Sequence, residues 1–431
     1  MSTQPSRRSF LHGSAALLAA SSLADVAAAR TRAGREDVLR IALVGCGGRG
    51  TGAAIQALST AGPVHLVAMA DAFRDRIDSS LAEIVAAHPE RVDVPESRRF
   101  VGFDAYRSAI DLDVDVVVLT TPPGFRPLHF EYAVQKRRHV FMEKPVAVDA
   151  PGVRQVLEAA RAARELRLKI GVGLQRHHDP AYQETIAHLH DGAIGRVLLY
   201  RCYWNSSGVW TRAREAGWNE MTYQMRNWYY FNWLCGDHIV EQHIHNLDVC
   251  NWIQGATPVR AQGQGGRAVR TGPDSGEIYD HHAVEYTYAD GTRMLSQCRH
   301  IPGCWESVSE HAHGTLGTCE VSAARIESEG GWSWRHRGDP VDPYQIEHDR
   351  LFAAIRADQP HDEAEVGAQA TMTAILGRMA TYSGRVVTWD EARASNLRLA
   401  PTRYAFDADP PTRPDEHGRY PVAVPGVSVA L

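Results

Sequence analysis

The chain has 431 residues, 44% of them hydrophobic, enough for two domains with cores of their own, because a single core rarely grows far beyond ~250 residues. Its 46 basic and 51 acidic residues leave a formal charge of −5 and no run of Lys or Arg, which argues against a phosphate-tracking nucleic-acid surface. Seven cysteines without a Cys-x-x-Cys pair give neither a disulfide framework nor a zinc-ribbon spacing.

Ser6-Arg7-Arg8-Ser9-Phe10-Leu11 is followed by a mildly apolar stretch, Gly13 to Ala24, and by the small-x-small pair Ala27 and Ala29. This order resembles a twin-arginine signal peptide cleaved after Ala29. It implies that residues 1–36 are a leader and linker. It also implies that the protein is exported, to the periplasm or beyond, already folded around any cofactor. No later apolar run approaches ~20 residues, so no further membrane span is expected.

The aliphatic run ending at Val44 leads into Gly45-Cys46-Gly47-Gly48-Arg49-Gly50 and then a helix over 51–59: strand, tight turn, helix start. Gly45 makes the turn, Gly47 lets the backbone approach a pyrophosphate, Gly50 allows close packing of the helix, and Arg49 lies beside the phosphates. Asp71 ends the next strand, 64–70, where a carboxylate accepts ribose hydroxyls and favours NAD. Arg74 and Arg76 nearby keep NADP open, since either can meet a 2′-phosphate. A helix over 74–88 and a β-branched strand over 114–120 continue a parallel sheet buried on both faces. Thr121 and Pro122 then fall at the nicotinamide edge, and His129 enters the next helix with or without a chemical role.

The segment His139-Val140-Phe141-Met142-Glu143-Lys144-Pro145 resembles the hallmark of the Gfo/Idh/MocA oxidoreductases. The likeness runs from about Leu39 to the 377–395 region, through the strand 167–173 and the ending Gly384-Arg385-Val386-Val387-Thr388-Trp389. It implies an α/β chain: a doubly wound Rossmann domain over 37–160, then a substrate domain over 161–400 built on a large, mostly antiparallel sheet. A homo-oligomer, dimer or tetramer, is expected with that sheet. Residues 401–431, rich in Pro and charge, read as an extended arm. Glu143 and Lys144 come to the carboxyl edge near the nicotinamide, where a buried cation can orient and acidify a substrate hydroxyl.

From Gly236 to Asp248 the chain is dense in titratable groups and predicts a helix, with Glu241 and His245 at i, i+4 and Asp248 three residues on. The family resemblance implies an Asp-x-x-x-His pair whose histidine is the acid or base at the oxidised carbon. His245 takes that place, Glu241 replaces the aspartate as helper, and Asp248 matches the following acid. A metal reading of His238, Glu241 and His245, completed by His177, His178, His281 or His282, lacks a His-x-x-x-His pair and any cysteine, so no metal is assigned. Aromatic residues crowd 203–233. Trp204, with Arg176, Arg226, His238 and Asp248, is expected to bind the substrate by stacking on sugar C–H faces and bonding hydroxyls.

These features point to an NAD(P)-dependent oxidoreductase acting on a carbohydrate or cyclitol hydroxyl. A redox-neutral cycle on tightly held NAD suits an exported enzyme. A sugar dehydrogenase with exchangeable cofactor and a non-catalytic sugar-binding protein are the alternatives.

Overall fold

A computed structural model describes residues 38–431, so the leader and linker expected over 1–36 lie outside the described residues. The first half alternates strand and helix: β1 (Leu39–Val44), α1 (Gly48–Ser59), β2 (Val64–Asp71), α2 (Arg74–Ala87), β3 (Arg99–Val101), α3 (Ala105–Asp111), β4 (Val116–Leu119), α4 (Arg126–Gln135), β5 (His139–Met142), α5 (Ala150–Glu165) and β6 (Ile170–Val172). The six strands are parallel in the order β3-β2-β1-β4-β5-β6. Ile41, Ala42, Leu43 and all four residues of β4 are buried because helices cover both faces, which is why these strands read as unbroken aliphatic runs. The order reverses between β1 and β4, and a crevice opens there at the carboxyl ends of the strands.

Two boundaries differ from expectation. Helix α1 begins at Gly48, inside the glycine run. The first sheet also reaches past residue 160, because β6 pairs in parallel with β5 through Val140↔Ile170 and Met142↔Val172.

The second half continues with α6 (Pro180–His190), β7 (Val197–Ser206), α7 (Glu220–Arg226), α8 (Asn232–Cys235), α9 (His238–Glu241) and α10 (Ile244–Gln254). Strands β8 (Arg260–Gly266), β9 (His281–Thr287), β10 (Arg293–His300), β11 (Ser307–Gly314), β12 (Gly317–Glu320), β13 (Arg325–Ser328) and β14 (Ser333–Arg335) follow, then α11 (Pro343–Arg356), α12 (Ala364–Ser383) and β15 (Val387–Thr388). Nine strands form one sheet in the order β14-β13-β12-β11-β7-β10-β9-β8-β15, antiparallel except where β10 runs parallel to β7. Helices α10 and α12 pack against this sheet, α10 on β7 and β11, α12 on β8 and β9.

Helix α11 crosses back to the first half, where Leu351 and Phe352 are buried with Ile41, Ala54, Leu58 and Phe141. Beyond residue 395 the chain has no helix or strand and runs over both halves: the Leu399 N–H donates to Asp149 Oδ2 at 2.8 Å and Gln224 Nε2 donates to the Thr412 carbonyl at 2.6 Å. Among the described residues no helix is long and apolar enough to cross a membrane.

Candidate active site

The glycine turn has the shape its sequence requires. Gly45 sits at φ +99°, and a Cβ there would lie 2.5 Å from the Thr121 nitrogen. A Cβ on Gly50 would lie 2.0 Å from the Gly45 carbonyl oxygen and 2.6 Å from Thr120 Oγ1, so α1 can approach the turn only without one. Gly47 faces open space and leaves the first amides of α1 without a side-chain cap, which makes an anion cradle of backbone N–H groups. Asp71 closes the adenosine side: its Oδ2 accepts from Cys46 N–H at 2.7 Å and its Oδ1 from Phe73 N–H at 2.9 Å, and burial pushes its carboxyl up. Arg74 turns away to Asp78 and Glu96, while Arg76 lines the cavity beside Asp71. The open cradle, the helix start and the ribose-side carboxylate fit a nicotinamide dinucleotide.

One cavity of about 550 Å³ runs from this turn past Thr121 and Pro122 to Glu143, Lys144, Glu241, His245 and Trp204, a size typical of ligand sites. Lys144 is fixed at its floor. Its Nζ donates to the Glu241 carbonyl at 2.5 Å, satisfying a free carbonyl at the end of α9, and to Glu241 Oε1 at 3.1 Å. Glu143 accepts from Arg49 Nε at 2.5 Å, and the Arg49 guanidinium lies 4.8 Å from the Tyr344 ring centre. Burial first, then the Lys144 and Arg176 charges, holds the His245 imidazole well below its ordinary range. His245 is thus a neutral base across neutral pH, not one that titrates there. Its Nδ1 is sealed in the protein, which leaves Nε2 for the cavity, and its ring stacks on Trp204 at 6.0 Å and 26°.

The segment 236–248 is not one helix. It breaks at Gln242 and His243 between α9 and α10, where the His243 N–H reaches back five residues to the His238 carbonyl at 3.1 Å, a bulge of the kind that marks functional sites. Side chains pull the chain open there: Gln242 Oε1 accepts from His300 Nε2 at 2.8 Å, and His243 Nε2 meets Ser296 Oγ at 2.7 Å. As a result Glu241 and His245 belong to different helices, and the Glu241 carboxylate serves Lys144 instead of orienting the imidazole.

Three of the expected substrate contacts lie elsewhere. His238 is fully buried against Asp237, His282 and His300, outside the cavity lining. Asp248 is held by His177 Nε2 at 2.8 Å, and Arg176 is spent on the buried Glu310, which Asn246 also bonds. Burial drives each: an unpaired charge there costs several kcal/mol, on the order of the whole net stability of a domain, so the chain supplies a partner. Arg226 does line the cavity, but at its adenosine end. Of the metal set weighed from sequence, His238 and His282 converge among the described residues, with Asp237, within 4.8 Å of one another, whereas Glu241 and His245 line the cavity instead. The Asp237 carboxylate there accepts from the Tyr279 N–H at 3.0 Å and from Tyr382 Oη at 2.5 Å.

The cavity also draws on Arg126, which the sequence did not single out, and on His129, whose role the sequence left open. Arg126 is buried, donates to the Leu119 and Thr121 carbonyls at 2.8 and 2.6 Å, and is pushed down to about 10 by burial. His129, stacked on Tyr106 at 4.2 Å, is pushed down to about 3 by burial and stays neutral. Of the aromatic run, Trp204, Trp210 and Trp228 line the cavity, whereas Tyr223, Tyr229, Tyr230, Phe231 and Trp233 form an ordinary core.

Residues 39–173 match the family model described as the oxidoreductase family with an NAD-binding Rossmann fold, GFO_IDH_MocA. The inositol 2-dehydrogenase of Acidothermus cellulolyticus is 29% identical over 240 residues, 55% of this chain and 60% of that protein. Inositol 2-dehydrogenase 4 of Saccharopolyspora erythraea is 32% identical over 164 residues, 38% of this chain and 44% of that protein. The chain thus spans less than two thirds of the length of these curated relatives. Among solved structures, the aldose-aldose oxidoreductase of Caulobacter crescentus superposes with a TM-score of 0.63 at 17% identity, covering 81% of this chain and 99% of that one. A levoglucosan dehydrogenase in complex with NADH and levoglucosan gives 0.64 at 15% identity, covering 82% and 99%. At such identities these two neighbours speak for the fold. Residues 39–173 thus match the NAD-binding Rossmann domain of the Gfo/Idh/MocA oxidoreductases, and their six parallel strands have that fold.

Proposed function

We propose that this protein oxidises a ring hydroxyl of a carbohydrate or cyclitol and returns the same hydride to an intermediate, product or second sugar within one catalytic cycle, on NAD that stays bound. The observation that carries this reading is a single cavity holding both the glycine turn and the Lys144, Glu241 and His245 group. Kinship with inositol 2-dehydrogenases supports the substrate class.

NAD, when bound, supplies the acceptor for hydride from carbon. The chain's own residues do the rest. Gly47, the start of α1 and Asp71 hold the dinucleotide, and Thr121, Pro122 and Glu143 border its reactive end. Lys144, kept in place by Glu241, donates a hydrogen bond to the substrate oxygen and stabilises the negative charge that grows on it. His245 accepts the hydroxyl proton at Nε2, being neutral and therefore free to take it. Trp204 offers a flat apolar face to the ring C–H groups.

Retention of the cofactor suits export after folding, which the leader-like N-terminus motivates. The protein then works in the periplasm, where free NAD is scarce. Assembly into a dimer or tetramer is supported by the sheet face opposite α10 and α12, which carries Leu199, Arg201, Tyr203, Leu295 and Gln297 in partial exposure. Light scattering after gel filtration tests it.

The test of function is mass spectrometry of nucleotide released from freshly purified protein, followed by addition of sugars and cyclitols while nicotinamide absorbance is recorded. Bound NAD with a transient, self-reversing signal is expected. Steady NADH formation only with added NAD⁺ would replace the redox-neutral cycle by a simple dehydrogenase. Undiminished turnover in His245→Ala would remove His245 from the chemistry.

A further inference from the structure

The segment between β7 and α7, with α7 itself, leaves the second half of the molecule and lies over the adenosine end of the cavity, where Trp210, Arg212 and Arg226 form part of the wall. Arg226 makes the crossing. Its Nη1 donates to Asp75 Oδ2 at 2.7 Å and its Nη2 to Asp75 Oδ1 at 2.8 Å, a two-pronged bond between residues 151 positions apart. Asp75 sits in the first turn of α2, four residues after the ribose-side Asp71. The same guanidinium lies 3.7 Å from the ring centre of Phe73 and 5.7 Å from that of Trp218. Phe73 in turn meets Phe406 at 5.5 Å, and Phe406 meets Phe103 at 4.8 Å, so the C-terminal stretch closes the same edge.

Two remote parts of the chain, the segment ending in α7 and the C-terminal stretch, thus converge on the Rossmann edge beside Asp71, and neither is needed to build the glycine turn. Residues 221, 223, 224 and 225 of α7 are buried, in a cluster that Phe125 of the first half joins, and Arg226 at the helix end makes the two-pronged bond to Asp75. The Asp75 carboxylate is more than half exposed, so water and salt reach the pair. A contact of this kind opens and closes without unfolding anything. The Arg226 hydrogen bonds hold the Asp75 carboxyl below its usual range, in keeping with a closed resting state.

We infer that Arg226 and Asp75 form a clasp across the adenosine end of the cavity, whose opening sets how fast a bound nicotinamide dinucleotide leaves. The inference rests on the dinucleotide reading of the cavity and adds to it a gate made by the second domain. A bidentate guanidinium suits the task, because its planar fork fits one carboxylate while its face packs on a ring; a lysine gives neither.

The experiment uses full-length protein loaded with NADH and chased with excess NAD⁺, following the loss of nicotinamide fluorescence. Release from the wild type is expected to be slow and to speed up with added salt. Arg226→Ala and Asp75→Ala should each release NADH at least tenfold faster, since changes at an interface act mostly on the off-rate. Arg226→Lys should fall between, and the exchanged pair Asp75→Arg with Arg226→Asp should recover part of the slow release. Asp75→Ala, at an exposed carboxylate, keeps the test open if Arg226→Ala fails to fold. Release from both alanine variants at the wild-type rate would overturn the clasp alone. A wild-type protein that holds no nucleotide as purified and takes up no NADH would overturn the dinucleotide reading itself.

Discussion

Replacing Lys144 by Met keeps the length of the side chain and removes its charge. Two bonds are lost, to the Glu241 carbonyl and to Glu241 Oε1, and both side chains of the pair are only 13% exposed. Breaking a buried pair from one side costs ~3–5 kcal/mol because the other charge is stranded. Water in the cavity relieves part of that, so roughly 2–3 kcal/mol is expected, with a Tm lower by about 2–4 °C for a chain of this size. Turnover should fall further, by about 10²–10³-fold, the usual cost of removing a donor aimed at developing oxyanion charge. The double variant Lys144→Met with Glu241→Gln separates the two effects. Neutralising the stranded carboxylate should return most of the lost Tm and none of the lost turnover. Removing the Lys144 charge should also let the His245 imidazole titrate at higher pH, shifting the acid limb of kcat/KM upward. Calorimetry and pH–rate profiles on the three proteins read these out. Recovery of turnover in the double variant, or an acid limb that stays in place, would refute the assignment of Lys144 to the reacting oxygen.

Gly50→Ala puts a methyl group 2.0 Å from the Gly45 carbonyl, and Gly45 cannot yield because it is itself wedged against Thr120 and Thr121. Helix α1 must retreat, and NAD affinity should drop by about 10–100-fold, ~1.4–2.8 kcal/mol, in a fluorescence titration. Burial holds His129 down to about 3 and His300 down to about 2. The unfolded chain binds a proton at each near pH ~6.5 and the folded chain does not, so their stabilisation is complete above ~6.5 and falls by ~1.4 kcal/mol per pH unit per histidine below it. Urea unfolding should lose roughly 4 kcal/mol from these two between pH ~6.5 and ~5; a flat profile refutes it. Asp237→Ala strips the acceptor from the backbone N–H groups of His238 and Tyr279 and from the Tyr382 hydroxyl, all deeply buried. The Tyr382 hydroxyl keeps Asn232 Oδ1, so at ~1–3 kcal/mol for each of the two orphaned backbone donors the loss is roughly 2–6 kcal/mol, and an unchanged thermal melt would show that the donors find other partners.

What the sequence made legible was local. The run from Leu39 to Gly50 announced strand, turn and helix because each step is written within a few residues: buried aliphatics, a positive-φ glycine, a glycine where a Cβ collides. No local pattern joins Lys144 to His245; the resemblance implied that the two share one site, and both line the cavity. What was not legible depended on distant partners. The break at Gln242 and His243 is set by His300 and Ser296, 58 and 53 residues away. The i, i+4 pattern of Glu241 and His245 is compatible with a continuous helix, and only the sheet beneath decides against it. His238, Asp248 and Arg176 carried the right chemistry for a sugar site, but side-chain type does not reveal which way a residue faces, and here each turns inward to a partner of opposite character.

The return of α11 to the first half bears on how this chain can be taken apart. Leu351 and Phe352 fill the space beneath β1 and α1, Gln345 Nε2 bonds the Gln56 carbonyl at 3.0 Å, and the Ile170 N–H bonds the His361 carbonyl at 2.8 Å. A cut after β6 would leave that seat bare and its aliphatic lining in water. Any chimaera that grafts a foreign substrate half onto this nucleotide half must therefore carry residues 343–363 with the recipient, as though the polypeptide were one garment sewn twice through the same seam.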